Sequence, residues 1–343
     1  GFNSSEKIDD LTNHVVLSAI SRTMSSDVLS GLESKYSDIH SGFCYDLIFN
    51  WIHSEDKNSF RSIADYVTSN LSLLDRFNSF EIKDLVGTDV LPIIDEVILS
   101  KLMYAISNRT IDSDSVIRVV EKRRTSAWYE DYTYFYEGIY QVALMNQFYE
   151  SHLNSFHHVE SKEMWNAYTS DYYQMDTYYR NFHISFSTCL QTLHPSLDDA
   201  FKDLADYVEK EYKNWYLDQL TSNWNKVIEA DLGSTGKITG IAQQTDFYRD
   251  VVKNVDGKVF VIISDAMRYD VAHSLAKQLE IETKSDVEIS AQQGIYPTIT
   301  KYGMAALLPH KTLGVIENNG TTKVLVDGHS SEMSDRDGIL KSY

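Results

Sequence analysis

The sequence predicts an all-α N-terminal helical region over residues 1–232, followed by an α/β region over residues 241–343. Of the 15 glycines, five precede residue 232 and ten follow it. The first part also contains only two prolines, Pro92 and Pro195. Because glycine and proline interrupt helices, their scarcity favours helices in the first part, and their return favours strands and turns in the second.

Apolar residues recur at helical spacing in six segments of the first part. These segments are 8–24, 45–53, 90–107, 128–149, 164–186 and 204–228. Gly233 then supplies a stop for the last one. The pattern predicts a bundle of helices, and a division of this region near residue 160 stays open.

Two of the predicted helices, 128–149 and 164–186, are crowded with aromatic residues. With the basic run Lys122, Arg123 and Arg124 they would suit a stacking platform for single-stranded nucleic acid. A tyrosine-rich helix–helix interface or a docking face for a partner protein is the alternative. Acidic residues scattered through both helices favour this alternative.

The second part alternates strand and helix patterns. Segment 258–264 is a continuous β-branched run that predicts a strand buried on both faces. An amphipathic helix over 269–279, a short strand over 287–290, a helix over 300–308 and a strand over 323–326 follow. This order predicts a parallel sheet with right-handed crossovers, whose ligands bind at the carboxyl ends of the strands.

Composition excludes several classes of function. The formal net charge is −19, so general electrostatics cannot hold the chain on a nucleic acid. Two distant cysteines, Cys44 and Cys189, form neither a disulfide framework nor a zinc ribbon. The N-terminus lacks the pattern of a signal peptide, and the longest strongly apolar run, 259–263, is too short to span a bilayer. The sequence therefore predicts a cytoplasmic protein with no membrane segment.

Two polar positions fall at the predicted carboxyl edge of the sheet. Asp265 follows the predicted buried strand, where a carboxylate needs a metal ion, hydrogen-bond donors or a partner such as Arg268. Thr298 and Thr300 precede the helix over 300–308, where backbone N–H groups and the helix dipole favour a phosphate. Capping of the helix by either threonine is the alternative.

Three segments together resemble a known family. They are VFVIISDAMRYDVAHSLAKQL, YPTITKYGMAALLPH and KVLVDGHSSEMSDRDGILKS. They are similar to the PglZ family of BREX phage-defence systems, whose members carry a domain of the alkaline-phosphatase superfamily. The resemblance covers about residues 168–343 and implies that residues 241–343 begin an alkaline-phosphatase-like parallel sheet covered by helices.

The resemblance also implies roles for individual residues. Asp265 matches the first metal-ligand aspartate, and Thr300 matches the metal-activated nucleophile of the nucleotide pyrophosphatases in the superfamily, with Thr298 as the alternative. Those enzymes carry a phosphate-binding asparagine three residues after the nucleophile, where this chain has Gly303. Arg268 is a candidate for neutralising phosphate oxygens, and pairing with Asp270 on its own helix is the alternative. We expect none of the three nearby histidines to be a ligand: His273, His310 and His329.

The function implied is a metal-dependent phosphoester hydrolase of BREX defence, a phosphatase or phosphodiesterase with a nuclease as one form. The metal expected is Zn²⁺, with Mn²⁺ or Mg²⁺ as alternatives, and the substrate expected is a nucleotide or nucleic acid. Further Asp and His ligands are expected beyond residue 343, so the chain would hold only part of the site and would be inactive alone. The alternative is an assembly module that docks other BREX proteins through its helical region.

Overall fold

The computed structural model of the chain describes residues 8–191, 194–318 and 320–343. Helices dominate this part of the chain. They are α1 (Ile8–Thr23), α2 (Ser41–Ile52), α3 (Lys57–Asn70), α4 (Leu73–Asn78), α5 (Ile82–Leu85), α6 (Ile93–Ser107), α7 (Ser113–Arg123), α8 (Tyr129–His152), α9 (Ser161–Ala167), α10 (Tyr173–Cys189), α11 (Pro195–Glu211), α12 (Asp218–Ser234), α13 (Tyr269–Glu282), α14 (Thr300–Leu307) and α15 (Arg336–Lys341).

The helical patterns of the first part are confirmed, and two of them contain an irregularity that the spacing did not predict. The predicted helix 164–186 consists of α9 and α10 joined by a π-helical turn, Tyr168–Tyr172. Similarly, the predicted helix 204–228 consists of α11 and α12 joined by a π-helical turn, Tyr212–Leu217. Each such turn accommodates one extra residue in the helix. A single extra residue hardly changes the spacing of apolar residues, so the spacing does not reveal the turn.

The chain forms two compact units. The first consists of Gly1–Ser151 and Tyr178–Tyr216, and the second of His152–Thr177 and Leu217–Tyr343. The domain limits at residues 232 and 241 stay a prediction. None of the helices that the structure describes has the length and hydropathy of a membrane span.

In the first unit, the aromatic residues of α8 and the residue before it form much of the core. Trp128, Tyr132, Phe135 and Tyr136 are all buried. Arg123 is buried as well and donates hydrogen bonds to both carboxylate oxygens of Asp95, at 2.8 and 2.6 Å. The first aromatic segment and the middle of the basic run therefore serve packing, which favours the helix–helix interface over the nucleic-acid platform.

Among its described residues, the second unit contains one small sheet, and the strands of this sheet are antiparallel. The order is β1 (Leu313–Asn318), β2 (Thr321–Val326) and β3 (His329–Ser330), with Leu313 opposite Val326. The predicted strand 323–326 is confirmed within β2, and the predicted helices 269–279 and 300–308 are confirmed as α13 and α14. Val324 and Val326 of β2 pack with Ala305 of α14 in a small core.

The prediction of a buried parallel strand at 258–264 was wrong for this structure. The segment has no regular structure, and its apolar side chains are exposed, with Phe260 at 86% and Ile262 at 93%. No strand forms at 287–290 either, and the described residues contain one isolated parallel bridge, between Gln243 and Gln293. A strand needs a neighbour for its backbone N–H and C=O groups, and segment 258–264 meets none within the described residues.

Candidate active site

The structure brings the two predicted site residues together. The Thr300 hydroxyl donates a hydrogen bond to Oδ2 of Asp265 at 2.9 Å, across 35 positions of sequence. Both residues are exposed. An exposed hydroxyl that is oriented by a carboxylate can be reached by a ligand and a metal ion from the solvent side.

The local backbone fixes each partner. Asp265 precedes Ala266, which has a φ of 58° in the left-handed region that non-glycine residues rarely adopt. This turn lets the Ala266 N–H donate to Oδ1 of Asp265 at 3.0 Å, so that both carboxylate oxygens accept a hydrogen bond. Thr300 is the first residue of α14, where the first backbone N–H groups lack acceptors within the helix.

A cavity of about 530 Å³ surrounds the pair. Its wall includes segment 261–267, Thr298, Thr300 and Gly303. The cavity has the size of ordinary ligand sites. Thr298, the alternative nucleophile, lies in the same wall, whereas the hydrogen bond to Asp265 comes from Thr300.

Gln244 is a cavity residue that the sequence did not predict. A Cβ atom placed on Gly303 would lie 3.3 Å from Nε2 of Gln244, and the Oε1 atom of Gln244 accepts a hydrogen bond from the Ile295 N–H at 3.1 Å. The Gln244 amide therefore lies beside Gly303 in the wall of the cavity. A lone glutamine far from the motif gives no sequence signal, so only the fold could reveal it.

Arg268 is paired with two buried carboxylates. Its Nε lies 3.0 Å from Oδ1 of Asp270, and its Nη2 lies 3.3 Å from Oδ1 of Asp176. The guanidinium itself is half exposed. The pairing with Asp270 that was the alternative prediction is present, and a phosphate would compete with two carboxylates for this residue.

The three histidines have packing or local roles. The His273 Nε2 lies 2.9 Å from the Tyr173 hydroxyl, and burial lowers the pKa of His273. The His310 Nδ1 lies 2.7 Å from the Leu308 carbonyl oxygen, and His329 lies in the short strand β3. Within the described residues, no group of three or more His, Cys, Asp or Glu side chains is arranged to hold a metal.

The described residues therefore fit a divalent metal only in part. Asp265 and Thr300 offer two oxygen donors close together, and ions such as Zn²⁺ take four or more ligands.

The segment that contains Asp265 and Thr300 matches a known protein family. Residues 246–343 match the family model described as the BREX system PglZ alkaline phosphatase-like domain. This range contains both Asp265 and Thr300. Residues 246–343 are thus similar to an alkaline phosphatase-like domain.

Two curated relatives make the resemblance specific. The chain is 32% identical over 349 aligned positions, all of this chain, to the alkaline phosphatase-like protein PglZ of Bacillus cereus. It is 34% identical over 262 positions, 73% of this chain, to the alkaline phosphatase-like protein BrxZ of Escherichia coli. The resemblance to the PglZ family is therefore confirmed. The chain spans 40% of the first relative and 30% of the second, and no solved structure matches it.

Proposed function

We propose that this chain supplies the nucleophile and one metal ligand of a phosphoester hydrolase that acts in BREX defence. The observation that carries the proposal is the 2.9 Å contact between Oγ1 of Thr300 and Oδ2 of Asp265 inside a ligand-sized cavity. The match of this segment to an alkaline phosphatase-like domain supports the same reaction class.

The proposed reaction has two displacements. The Thr300 Oγ attacks phosphorus, the bond from phosphorus to the leaving oxygen breaks, and the hydroxyl proton passes to the Asp265 carboxylate or to solvent. Water then attacks the phosphorus of the covalent intermediate, and the bond from phosphorus to Thr300 Oγ breaks. A diester substrate thus yields a phosphomonoester and a monoester substrate yields phosphate, and one proton of the water restores the hydroxyl. Asp265 orients the nucleophile for the first displacement through the hydrogen bond that it already accepts, and this bond forms again when the hydroxyl is restored.

A bound divalent metal would lower the pKa of the hydroxyl and neutralise phosphate oxygens. We propose Zn²⁺, with Mn²⁺ or Mg²⁺ as alternatives, and Asp265 and Thr300 as two of its ligands. The curated relatives are longer than this chain, and the proposal assigns the remaining ligands to sequence that the chain does not contain.

Gln244 takes part in binding of the substrate in this proposal. Its amide lies beside Gly303, at the end of the cavity formed by α14. An amide N–H at that place donates to a phosphate oxygen, as the asparagine of related pyrophosphatases does. The residue would lower KM for the substrate with a smaller effect on kcat.

The proposed substrate is a phosphodiester of a nucleotide or nucleic acid in the cytoplasm. A nearby cation must offset its charge, because the chain carries a net charge of −19. Arg268 is half exposed, so it can turn towards phosphate at the expense of its bond to Asp176. We expect Arg268→Ala to raise KM. Arg268→Lys should give a KM between that of Arg268→Ala and that of the unchanged protein.

The test uses a protein that contains this chain and extends to the length of the Bacillus relative. Hydrolysis of bis(p-nitrophenyl) phosphate is measured with and without Zn²⁺, Mn²⁺ or Mg²⁺. We expect metal-dependent release that falls at least about 10³-fold in Thr300→Val and remains measurable in Thr300→Ser. Thr298→Val is the matched control, since Thr298 lines the same cavity. Release that is independent of metal, or that is lost in Thr298→Val and kept in Thr300→Val, would refute the proposed site.

An assembly role is the second candidate, and an exposed apolar stripe favours it. Ile39, Phe43 and Leu47 follow one another at helical spacing and are exposed by 92%, 75% and 43%. Such a stripe on the helical region suits the docking of another BREX protein. Loss of co-purification with BREX proteins in Phe43→Ser, with hydrolysis retained, would support this role; retained co-purification would count against the stripe.

A further inference from the structure

A second cavity lies in the first compact unit, away from the residues proposed for catalysis. It measures about 610 Å³ and is lined by the end of α6, the end of α8 and the junction of α11 with the following π-helical turn. Its polar and aromatic lining residues include Ser107, Arg109, Tyr149, Tyr207, Glu211 and Trp215. All of them fall within the same unit.

Glu211 is the unusual member of this wall. Its side chain is 5% exposed, and neither carboxylate oxygen has a hydrogen-bond partner among the residues that the structure describes. The buried Oγ of Ser107 in the same wall lacks a partner as well. A buried polar group without a hydrogen bond costs free energy, and a buried carboxylate costs more.

The neighbours of Glu211 compensate its charge only in part. Burial raises the pKa of Glu211, while the Tyr207 hydroxyl and the Arg109 guanidinium oppose this rise. The Tyr207 hydroxyl donates to Oδ1 of Asn146 at 2.9 Å. The Arg109 guanidinium lies over two aromatic rings, 5.1 Å from the centroid of Tyr149 and 5.6 Å from that of Tyr207. Among the described residues, the carboxylate of Glu211 therefore lacks the hydrogen-bond donors that its buried charge requires.

The charge and shape of the cavity indicate which kind of hydrogen-bond donor would bind to Glu211. Three carboxylates line it, those of Asp203, Asp206 and Glu211, against the two cations of Arg109 and Lys210. The Tyr149 and Trp215 rings meet at a centroid distance of 4.6 Å and form an aromatic wall. Carboxylates with aromatic faces bind organic cations, whereas an anion would meet an excess of negative charge.

We propose that this cavity binds an organic cation with several N–H donors, a guanidinium or a primary ammonium group, whose N–H groups donate to Glu211 and Ser107. A guanidinium fits a carboxylate with two parallel hydrogen bonds, and the Tyr149 and Trp215 rings would cover its apolar stem. The cation comes either from a free amine or from an arginine or lysine side chain of a protein that docks here.

The experiment titrates the chain with two probes by isothermal titration calorimetry. Agmatine represents a free amine, and the capped peptide acetyl-Gly-Arg-Gly-amide represents a protein side chain. The same peptide with citrulline in place of arginine is the uncharged control. We expect at least one cationic probe to bind and the citrulline peptide to bind at least about tenfold more weakly. Binding of agmatine alone would identify the ligand as a free amine. Binding of the peptide alone would identify it as a side chain of another protein.

The variant is Glu211→Gln, and Asp199→Asn is its matched control. Asp199 lies on the same helix α11 with a side chain 97% exposed, so its substitution changes the net charge equally outside the cavity. We expect Glu211→Gln to weaken binding at least about tenfold and to leave Tm unchanged or raised, while Asp199→Asn changes neither. Absence of binding by both probes, equal loss in both variants, or a lowered Tm of ligand-free Glu211→Gln would overturn the proposal.

Discussion

Gly138 lies against the Phe201 ring, with no room for a side chain between them. A Cβ atom at Gly138 would lie 2.8 Å from Cζ of Phe201 and 3.3 Å from Cβ of Ser185. Phe201 is buried, and its ring centroid lies 5.0 Å from that of Phe135, so the ring cannot move aside freely. The close approach of α8 and α11 thus depends on a glycine in the middle of a helix.

Gly138→Ala is therefore expected to destabilise the chain. Overpacking costs about 1–3 kcal/mol, and the higher helix propensity of alanine returns about 1 kcal/mol. We expect a net loss of up to about 2 kcal/mol in the free energy of unfolding, measured by urea denaturation. Gly233→Ala is the control, because Gly233 lies in α12 with nothing within 4 Å of its Cβ position. It should raise stability by up to about 1 kcal/mol; equal effects of both substitutions would contradict the packing account.

Loss of the buried ion pair between Asp95 and Arg123 is expected to lower the free energy of unfolding more than Gly138→Ala does. Both side chains are almost completely buried, and the Tyr136 hydroxyl also donates to Oδ1 of Asp95 at 2.6 Å. Asp95→Ala leaves a buried guanidinium without its carboxylate, and we expect a loss of about 3–5 kcal/mol in urea unfolding. Asp131→Ala, which breaks a half-exposed pair with Arg61, should cost less than about 1 kcal/mol. Similar losses of unfolding free energy in both variants would contradict the expectation that burial makes an ion pair costly to break.

The hydrogen bonds that Asp327 accepts beside the small sheet are expected to depend on pH. Hydrogen bonds from the Tyr343 hydroxyl and the Thr312 N–H hold the pKa of Asp327 well below its ordinary value of 3.8. Because the folded pKa is lowered, the stabilisation is fully present above pH 3.8 and is lost as the pH falls through the lower folded pKa.

The Thr312 amide resonance reports this change in NMR spectra. We expect it to stay at its native position from neutral pH down to pH 3.8 and to move only below that value. In Asp327→Ala, which removes both side-chain oxygen acceptors, the resonance should lie at the position of the broken hydrogen bond at every pH. A midpoint at or above 3.8 in the unchanged chain would disprove the hydrogen-bonded carboxylate.

Much of the helical region could be predicted from the sequence, because an amphipathic helix carries its signal within one segment. The spacing of apolar residues located α1, α6 and α8 closely. It missed the π-helical turns Tyr168–Tyr172 and Tyr212–Leu217, because a single inserted residue hardly disturbs the periodicity over a long segment.

The strands were harder to predict, because a strand depends on neighbours that the local sequence does not name. Segment 258–264 has the composition of a buried strand, yet the described residues offer it no partner. In contrast, β2 was predicted correctly, since the turn at Asp327 and Gly328 and the short connection to β1 bring its partners close.

The candidate site residues that lie in sequence motifs could be predicted. Asp265 and Thr300 were identified from strand-end and helix-start positions together with the family resemblance, and the structure places them in hydrogen-bond contact. The Gln244 amide and the pairing of Arg268 with Asp176 arise from contacts between distant segments. No local pattern encodes such contacts, so neither could be predicted.

The most direct test of the central claim is the position of the covalent phosphate. A protein that contains this chain and extends to the length of the Bacillus relative is mixed with p-nitrophenyl phosphate and Zn²⁺, quenched in acid, digested and analysed by mass spectrometry. We predict phosphate on Thr300, absent without metal and absent in Thr300→Val. Phosphate on Thr298, or hydrolysis that proceeds with no phosphorylated residue in the peptide carrying Thr298 and Thr300, would contradict the assignment of Thr300 as the nucleophile.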